Sequence, residues 1–332
     1  MNIAIVKLSA LGDIVHAMVA LQFIKAALPN AQIDWIVEQG FAEVLADNPD
    51  IRSVLTVNLK ALKTDKKLFF RELSKVKQFR QNQYDLVIDA QGLIKSALVA
   101  RLLSKHTVGF DKNSIREKWA SLFYQQSVAC PYDANTIDRN VKVLTQPLGI
   151  EVSQQQIVNK IPFLFFKPAT ASLDEYFQPD QPNILLVIGS TWPSRNYPKQ
   201  QFLQLIQALP ANYLICWGNA QEHQDGQWLA ERSDARLLPR LNLNDLKAAI
   251  ARVDLLIGND TGPTHMAWGL NRPSITLFGP TPISRIYQSD INQLLKSPSL
   301  VNPFKLDKND FSIAQIPVQD VVDLAKSLLA RG

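Results

Sequence analysis

The feature that most constrains this chain is an alternation. Short apolar runs rich in β-branched residues give way repeatedly to stretches whose apolar residues recur at helical spacing. "IAIVKL" (3–8) precedes a helical pattern from Asp13 to Leu28 that is closed by Pro29-Asn30. "QIDWIVE" (32–38) precedes "FAEVLADNP", and "SVLTVN" (53–58) precedes a basic helical segment over 60–80. "YDLVIDA" (84–90) precedes "LIKSALVARLLS" (93–104), which is followed by "TVGF". Strands covered on both faces read as continuous apolar runs, so the pattern predicts an α/β fold with a parallel sheet between helices. "REKWASLFYQ" and "NTIDRNVKVLTQPLGI" read as two closing helices.

The alternation fades between about 150 and 182, where "SQQQ", "KPAT" and "QPDQPN" are polar and proline-rich, and then restarts. "ILLVIG" (184–189), "YLICWG" (213–218), "DLLIG" (254–258) and "SITLFG" (274–279) are its strands, with helical stretches between them. With 332 residues there is room for two domains. We place them at 1–165 and 180–317, each doubly wound, with a terminal amphipathic helix over 318–331. Ligands of such folds bind at the carboxyl ends of the strands, so the two domains are expected to face each other across a cleft lined by those ends.

Composition excludes several classes. The chain is 46% hydrophobic, which fits a globular protein. No apolar run reaches the roughly 18 residues of a membrane span. Lys7 and Asp13 interrupt any signal-peptide core, and Cys130 and Cys216 are too few for a cysteine metal cage, so a reducing, cytoplasmic setting is expected. The net charge is +5, and residues 60–80 hold eight Lys/Arg against two acids. That segment is either a helix with a solvated basic face or a patch for an acidic partner: a phosphorylated sugar, an anionic membrane surface or nucleic acid. No nucleic-acid-binding motif is present, which sets that partner aside.

Dinucleotide G-x-G-x-x-G, Walker A and D-x-D motifs are absent, and the four histidines lack metal-ligand spacing. No metal or cofactor is expected. A bound diphosphate would be neutralised by backbone amides, helix dipoles and basic side chains. "DTGPTH" (260–265) suits that role. Asp260 and Thr261 cap a helix, Gly262 allows close backbone approach, and His265 follows one turn on. Alone it is equally a plain helix cap. "GSTWPSR" (189–195) offers the hydroxyls of Ser190 and Thr191 and the planar fork of Arg195, or is a polar loop. In "SALGD" Asp13 lies on the first turn of a helix, where the dipole favours a negative charge. The corner at Asp260 reads as its echo. "DAQGLIKSA" (89–97) is the first domain's other polar strand end, carrying Asp89, Gln91 and Lys95.

Taken together, "VKLSALGDIVHAMVAL", "DWIVEQGFAEVL", "YDLVIDAQGLIKSAL", "REKWASLFY" and "GNDTGPTHMAWGLNRPSITLFGPT" resemble the lipopolysaccharide heptosyltransferases of glycosyltransferase family 9. The resemblance is collinear from residue 1 to about 282, and "DAQGLIKSAL" and "REKWASLFY" look most like the heptosyltransferase I branch. It implies a GT-B fold whose C-terminal helix (318–331) packs back on the first domain. It implies inverting transfer of L-glycero-D-manno-heptose from ADP-heptose to a 3-deoxy-manno-octulosonic acid (Kdo) residue of Kdo-lipid A, by a monomer on the cytoplasmic face of the inner membrane. By this resemblance Asp13 is the general base. Ser190, Thr191, Arg195, Asp260, Thr261, Gly262 and His265 contact the donor's diphosphate and heptose, and Glu222 and Leu241 its adenosine. Lys60, Lys63, Gln91, Lys95, Arg116 and Arg139 are the acceptor-side candidates. Arg195 stands where the family member compared has a lysine. Transfer to heptosylated core, as by heptosyltransferase II, transfer to protein, and non-catalytic binding of a nucleotide sugar are the alternatives.

Overall fold

The computed structural model describes residues 1–61, 65 and 67–331. It divides into two compact units, Met1–Phe165 and Phe166–Gly332. The first contains β1 (Asn2–Val6), α1 (Leu11–Met18), α2 (Ala20–Ala27), β2 (Gln32–Glu38), β3 (Ser53–Val57), α3 (Leu68–Phe79), β4 (Leu86–Asp89) and α4 (Ile94–Leu103). It continues with β5 (Thr107–Phe110), β6 (Gln126–Val128), α5 (Thr136–Thr145) and α6 (Gln154–Val158). The second contains β7 (Asn183–Val187), α7 (Lys199–Ala208), β8 (Asn212–Cys216), α8 (Ala220–Ala230), β9 (Arg236–Leu237) and α9 (Leu243–Arg252). It ends with β10 (Leu255–Asn259), α10 (Gly262–Gly269), β11 (Ser274–Phe278), β12 (Asn292–Lys296) and α11 (Val318–Leu329).

Each unit holds a six-stranded sheet, β3-β2-β1-β4-β5-β6 in the first and β12-β11-β10-β7-β8-β9 in the second. All the pairings are parallel. Counted within its own unit, each sheet has the doubly wound order 3-2-1-4-5-6. The direction in which successive strands are added therefore reverses between β1 and β4 and between β7 and β10, and a crevice opens outside the strand ends there. The central strands are buried along their length, as in "NILLV" of β7 and "LLIGN" of β10, which matches their continuous apolar character.

Three expectations change. "FAEVLADNP" and "REKWASLFYQ" form 3-10 turns, Gln39–Leu45 and Lys118–Phe123, because each buries too little to sustain an α-helix: Ala120 is the buried residue of the latter. The proline-rich stretch is not a free connector throughout. Asp245 on α9 accepts hydrogen bonds from Thr170 N (2.9 Å), Thr170 Oγ1 (2.7 Å) and Ala171 N (3.1 Å), so residues after Phe165 belong to the second unit. The terminal helix, expected on the first domain, packs in the second. Val321, Val322, Ala325 and Leu328 are buried with Phe202 and Leu205 of α7. Tyr197 Oη donates to Ile316 O at 3.0 Å just before the helix begins. Burial of each large aliphatic chain is worth about 1.5–3 kcal/mol, which fixes α11 to its own unit's core. Among the described residues no helix is long and apolar enough to cross a membrane.

Candidate active site

In the second unit, β7 and β10 end side by side at the switch point. Asn259, the last residue of β10, is fully buried and staples the two ends. Its Nδ2 donates to Ile188 O (2.9 Å), and its Oδ1 accepts from Tyr197 N (2.9 Å). The loop 190–197 is thereby hung from β10, and Arg195 is brought over Asp260. The next residue, Asp260, accepts from His265 Nε2 at 2.9 Å and pairs with Arg195 at 3.0 Å. Burial alone would raise the Asp260 pKa. The hydrogen bond from His265 and the charges of Arg195 and Arg285 overcome it and hold the carboxyl far below the usual carboxylate range. An ionised carboxylate only accepts, so Nε2 of His265 carries the proton.

One carboxylate thus faces two guanidinium groups, and the three charges together sum to a positive surplus. The cluster lies at the start of α10, whose N-cap is Thr261 and whose first-turn amides, interrupted by Pro263, have no earlier turn to bond. Surplus positive charge beside a helix N-terminus is an anion site. Trp192 lies under Arg195, 5.5 Å from ring centre to guanidinium, and under the Lys308 ammonium at 4.8 Å. Asn259→Ala leaves two backbone groups unpaired, at about 1–3 kcal/mol each. It is expected to lower the melting temperature, read by scanning calorimetry; an unchanged melting temperature would show that the staple does not hold the Arg195 loop to β10.

Glu222 sits in the first turn of α8, its Oε2 accepting from Gly218 N and its Oε1 from Asn219 Nδ2, both at 2.7 Å. Its carboxyl lies directly on the end of β7. A Cβ on Gly189 would be 2.2 Å from it, so a larger residue there would have to displace the Glu222 side chain. Leu241 is half-buried just before α9. Ser190 Oγ lies 2.9 Å from Trp192 O and 2.6 Å from Asn196 Oδ1, which commits its single proton inside the loop, whereas Thr191 is exposed.

In the first unit, β1 and β4 flank the switch point. Asp13 lies in the first turn of α1, half-buried, and its Oδ2 accepts from Ala10 N at 3.3 Å. The loop leading to it is braced by Gln91, whose Oε1 accepts from Leu8 N (3.1 Å) and Ser9 N (3.0 Å). Beneath lies Lys7, buried, with Nζ donating to Ala90 O (2.8 Å) and Asn140 Oδ1 (3.0 Å). Burial lowers the Lys7 pKa, while Asp13 and Asp89 act in the opposite sense. Glu38, buried at the end of β2, draws in Lys95 Nζ at 3.8 Å and accepts from Lys60 N at 3.5 Å. The Lys60 ammonium lies 4.3 Å above the Phe41 ring.

The first edge therefore gathers Asp13, Gln91, Lys60 and Lys95, with Gln91 acting as a brace and not as an open ligand group. Arg139 is otherwise engaged: its guanidinium donates to Cys130 O (3.1 Å), Pro131 O and Ser114 O (2.6 Å), and packs on Phe110 and Tyr132. The carbonyls hold it as a loop clamp. Arg116 is exposed, and Lys63 lies outside the described residues. Asp89 is likewise structural, accepting from Gln91 N, Gly92 N, Ser96 Oγ and Tyr124 Oη. His16 is buried within α1. The two aspartate corners are not equivalent. Asp13 follows the first strand of its sheet and Asp260 the fourth of its own, on opposite sides of the respective switch points. Lys7, Asn259, Arg285 and Lys308 were not singled out from sequence. A lysine closing an apolar strand and an asparagine closing another were the available signals. Among the described residues no group of three His, Cys, Asp or Glu is placed to hold a metal ion.

Two doubly wound units with polar groups at both switch points are the components of the GT-B fold, and the family follows: residues 73–297 match the sequence profile of glycosyltransferase family 9 (heptosyltransferase). The chain belongs to that family and is a glycosyltransferase. Within it, the chain is similar to lipopolysaccharide heptosyltransferase 1 of Campylobacter coli, with 35% identity covering 99% of both chains. It is also similar to lipopolysaccharide heptosyltransferase 1 of Escherichia coli K12, with 30% identity covering 89% of this chain and 93% of that one. Among solved structures, E. coli heptosyltransferase WaaC with ADP shares the fold at a TM-score of 0.81, with 23% identity, covering 99% of this chain and all (100%) of the other.

Proposed function

We propose that this protein is a lipopolysaccharide heptosyltransferase of the first type, which moves L-glycero-D-manno-heptose from ADP-heptose to a Kdo residue of Kdo-lipid A. The observation that carries the reading is the Asp260–His265–Arg195 cluster, with Arg285, at the start of α10: a positive surplus at a switch point suits a nucleoside diphosphate leaving group. Support for the donor comes from the E. coli relative, solved with ADP and with ADP-2-deoxy-2-fluoro heptose.

In the proposed reaction the acceptor hydroxyl attacks the anomeric carbon from the face opposite ADP, and the configuration inverts. Asp13 takes the hydroxyl proton as the new glycosidic bond forms. The bond from the anomeric carbon to the β-phosphate oxygen breaks, and the developing charge is met by Arg195, Arg285 and the α10 amides. Thr191, Thr261, Gly262 and His265 are assigned to the diphosphate and heptose, and Glu222 and Leu241 to the adenosine. These groups supply the neutralisation, so the proposal requires no metal ion. Lys60, Lys95 and Arg116 are assigned to the acidic acceptor, and the enzyme to the cytoplasmic face of the inner membrane as a monomer.

The test is purified enzyme with ADP-heptose and EDTA, offered Kdo-lipid A, heptosylated core and a protein acceptor separately. A mass gain of one heptose on Kdo-lipid A alone is expected. Gain only on heptosylated core or on protein moves the enzyme to another acceptor; ADP release with no transferred sugar, or no reaction, overturns the reading.

A further inference from the structure

The first unit carries an apolar crest that its core does not use. Phe69 and Phe70 open α3, Ile94 and Leu98 lie one turn apart on α4, and Trp119 and Leu122 lie on the 3-10 turn Lys118–Phe123. Phe70, Trp119 and Leu122 are 77%, 72% and 73% exposed. The three elements are neighbours: α4 contacts both α3 and the 3-10 turn. Glu117 Oε2 accepts from Ile94 N at 2.8 Å, which pins the turn to the start of α4. Phe69 and Phe70 meet edge to face, with centroids 5.6 Å apart, and hold each other outward.

Cations surround the crest. Lys67, Arg71, Lys77, Arg101, Lys105 and Lys118 are exposed on these elements or at their ends. Of the acids near them, Glu72 is buried, accepts from Asn58 N at 2.8 Å and pairs with Arg71 at 3.5 Å, Glu117 caps α4, and Asp65 is exposed beside Lys67. Aromatic and aliphatic side chains exposed on three neighbouring elements, among lysines and arginines that outnumber the exposed acid, are the composition that seats in the interface of an anionic bilayer. Its place is also telling. The crest is at the start of α4, three residues after Gln91, which braces the loop carrying Asp13.

We infer that this face docks the enzyme on an anionic phospholipid membrane, with Phe70, Trp119 and Leu122 entering the interface and the surrounding cations meeting the lipid headgroups. Resting on the proposed acceptor, it brings the Asp13 edge to the depth at which the sugar of an acylated glycolipid emerges. The occupant is a lipid surface and not a second copy of the chain, because a face so predominantly basic repels itself.

The experiment is flotation of the full chain with vesicles of phosphatidylcholine alone or with phosphatidylglycerol added, without donor or acceptor. Binding to the anionic vesicles is expected, reduced by high salt. Phe70→Ser/Trp119→Ser should lower it roughly tenfold or more, since each side chain contributes buried apolar area, with an unchanged melting temperature because both residues are exposed. Arg71→Glu/Lys118→Glu should do the same. With a soluble Kdo acceptor lacking acyl chains the serine variant should turn over as the wild type does, and with vesicle-embedded acceptor it should lose roughly tenfold. Absence of flotation, equal flotation of wild type and variants, equal binding to neutral vesicles, or a wild-type dimer that the serine variant converts to monomer overturns the proposal. Flotation needs neither ADP-heptose nor Kdo, so docking and the acceptor assignment fail separately.

Discussion

Asp13→Asn is expected to lower the turnover of heptose transfer by roughly 10³-fold, the middle of the range for loss of the general base proposed for it, and to leave ADP affinity within about threefold of wild type. The expected separation follows from where the groups sit. The groups assigned to ADP are on the second unit, at the ends of β7, β8 and β10, and Asp13 is on the first. Asparagine keeps the shape of the side chain and an oxygen to accept from Ala10 N, so α1 and the loop braced by Gln91 stay in place. What disappears is a group able to take a proton. The rate is read from heptosylated product at saturating substrates and the affinity from calorimetric titration with ADP. Severely weakened ADP binding with intact turnover at saturation would remove Asp13 from the role of base. Replacement by alanine is the weaker test, because it also deletes the contact to Ala10.

How much of this was legible in the sequence depends on what each residue answers to. Strands buried on both faces, such as β1, β4, β7 and β10, must be continuously apolar, and they stood out as such. Edge strands have no such requirement: "QSV" of β6 and "NQLLK" of β12 carry polar residues and gave no signal. The terminal stretch was visibly amphipathic, but an apolar stripe specifies a helix and not the surface that receives it, and only the position of α7 decides that. The same division holds at the site. Asp13, Asp260, His265 and Arg195 could be picked out because local rules of strand end, cap and loop concentrate chemistry there. That Arg195 is the counter-ion of Asp260 depends on Asn259 holding two strand ends and a loop together. Arg139 was misread for the converse reason. Its charge advertised an anion partner, yet three backbone carbonyls from two segments, Cys130–Pro131 and Ser114, claim its donors. Lys7 looked like an interruption of an apolar run and is instead the buried lysine that ties Ala90 and Asn140 together beneath the Asp13 edge.

Asp260→Asn is expected to destabilise the second unit by about 3–5 kcal/mol, the usual cost of stranding a buried charge without its partner. For a unit of this size that is a fall of roughly 10 °C in its melting transition. Asparagine still accepts from His265, so the loss isolates the missing negative charge between Arg195 and Arg285. The pH dependence distinguishes this from a packing defect. The folded Asp260 carboxyl is held below its unfolded value near 3.9. Its contribution is therefore complete above that unfolded value and is lost as pH falls toward the lower folded one. The gap in melting temperature between wild type and variant should be constant from about pH 5 upward and should close only in stronger acid. Saturating ADP should narrow it at neutral pH, since the diphosphate supplies the negative charge that the variant lacks, and ADP should raise the melting temperature more in Asp260→Asn than in wild type. An unchanged melting temperature would mean that the two arginines do not depend on Asp260. A smaller ADP effect in the variant would mean that the carboxylate, and not the surplus positive charge, organises the anion site.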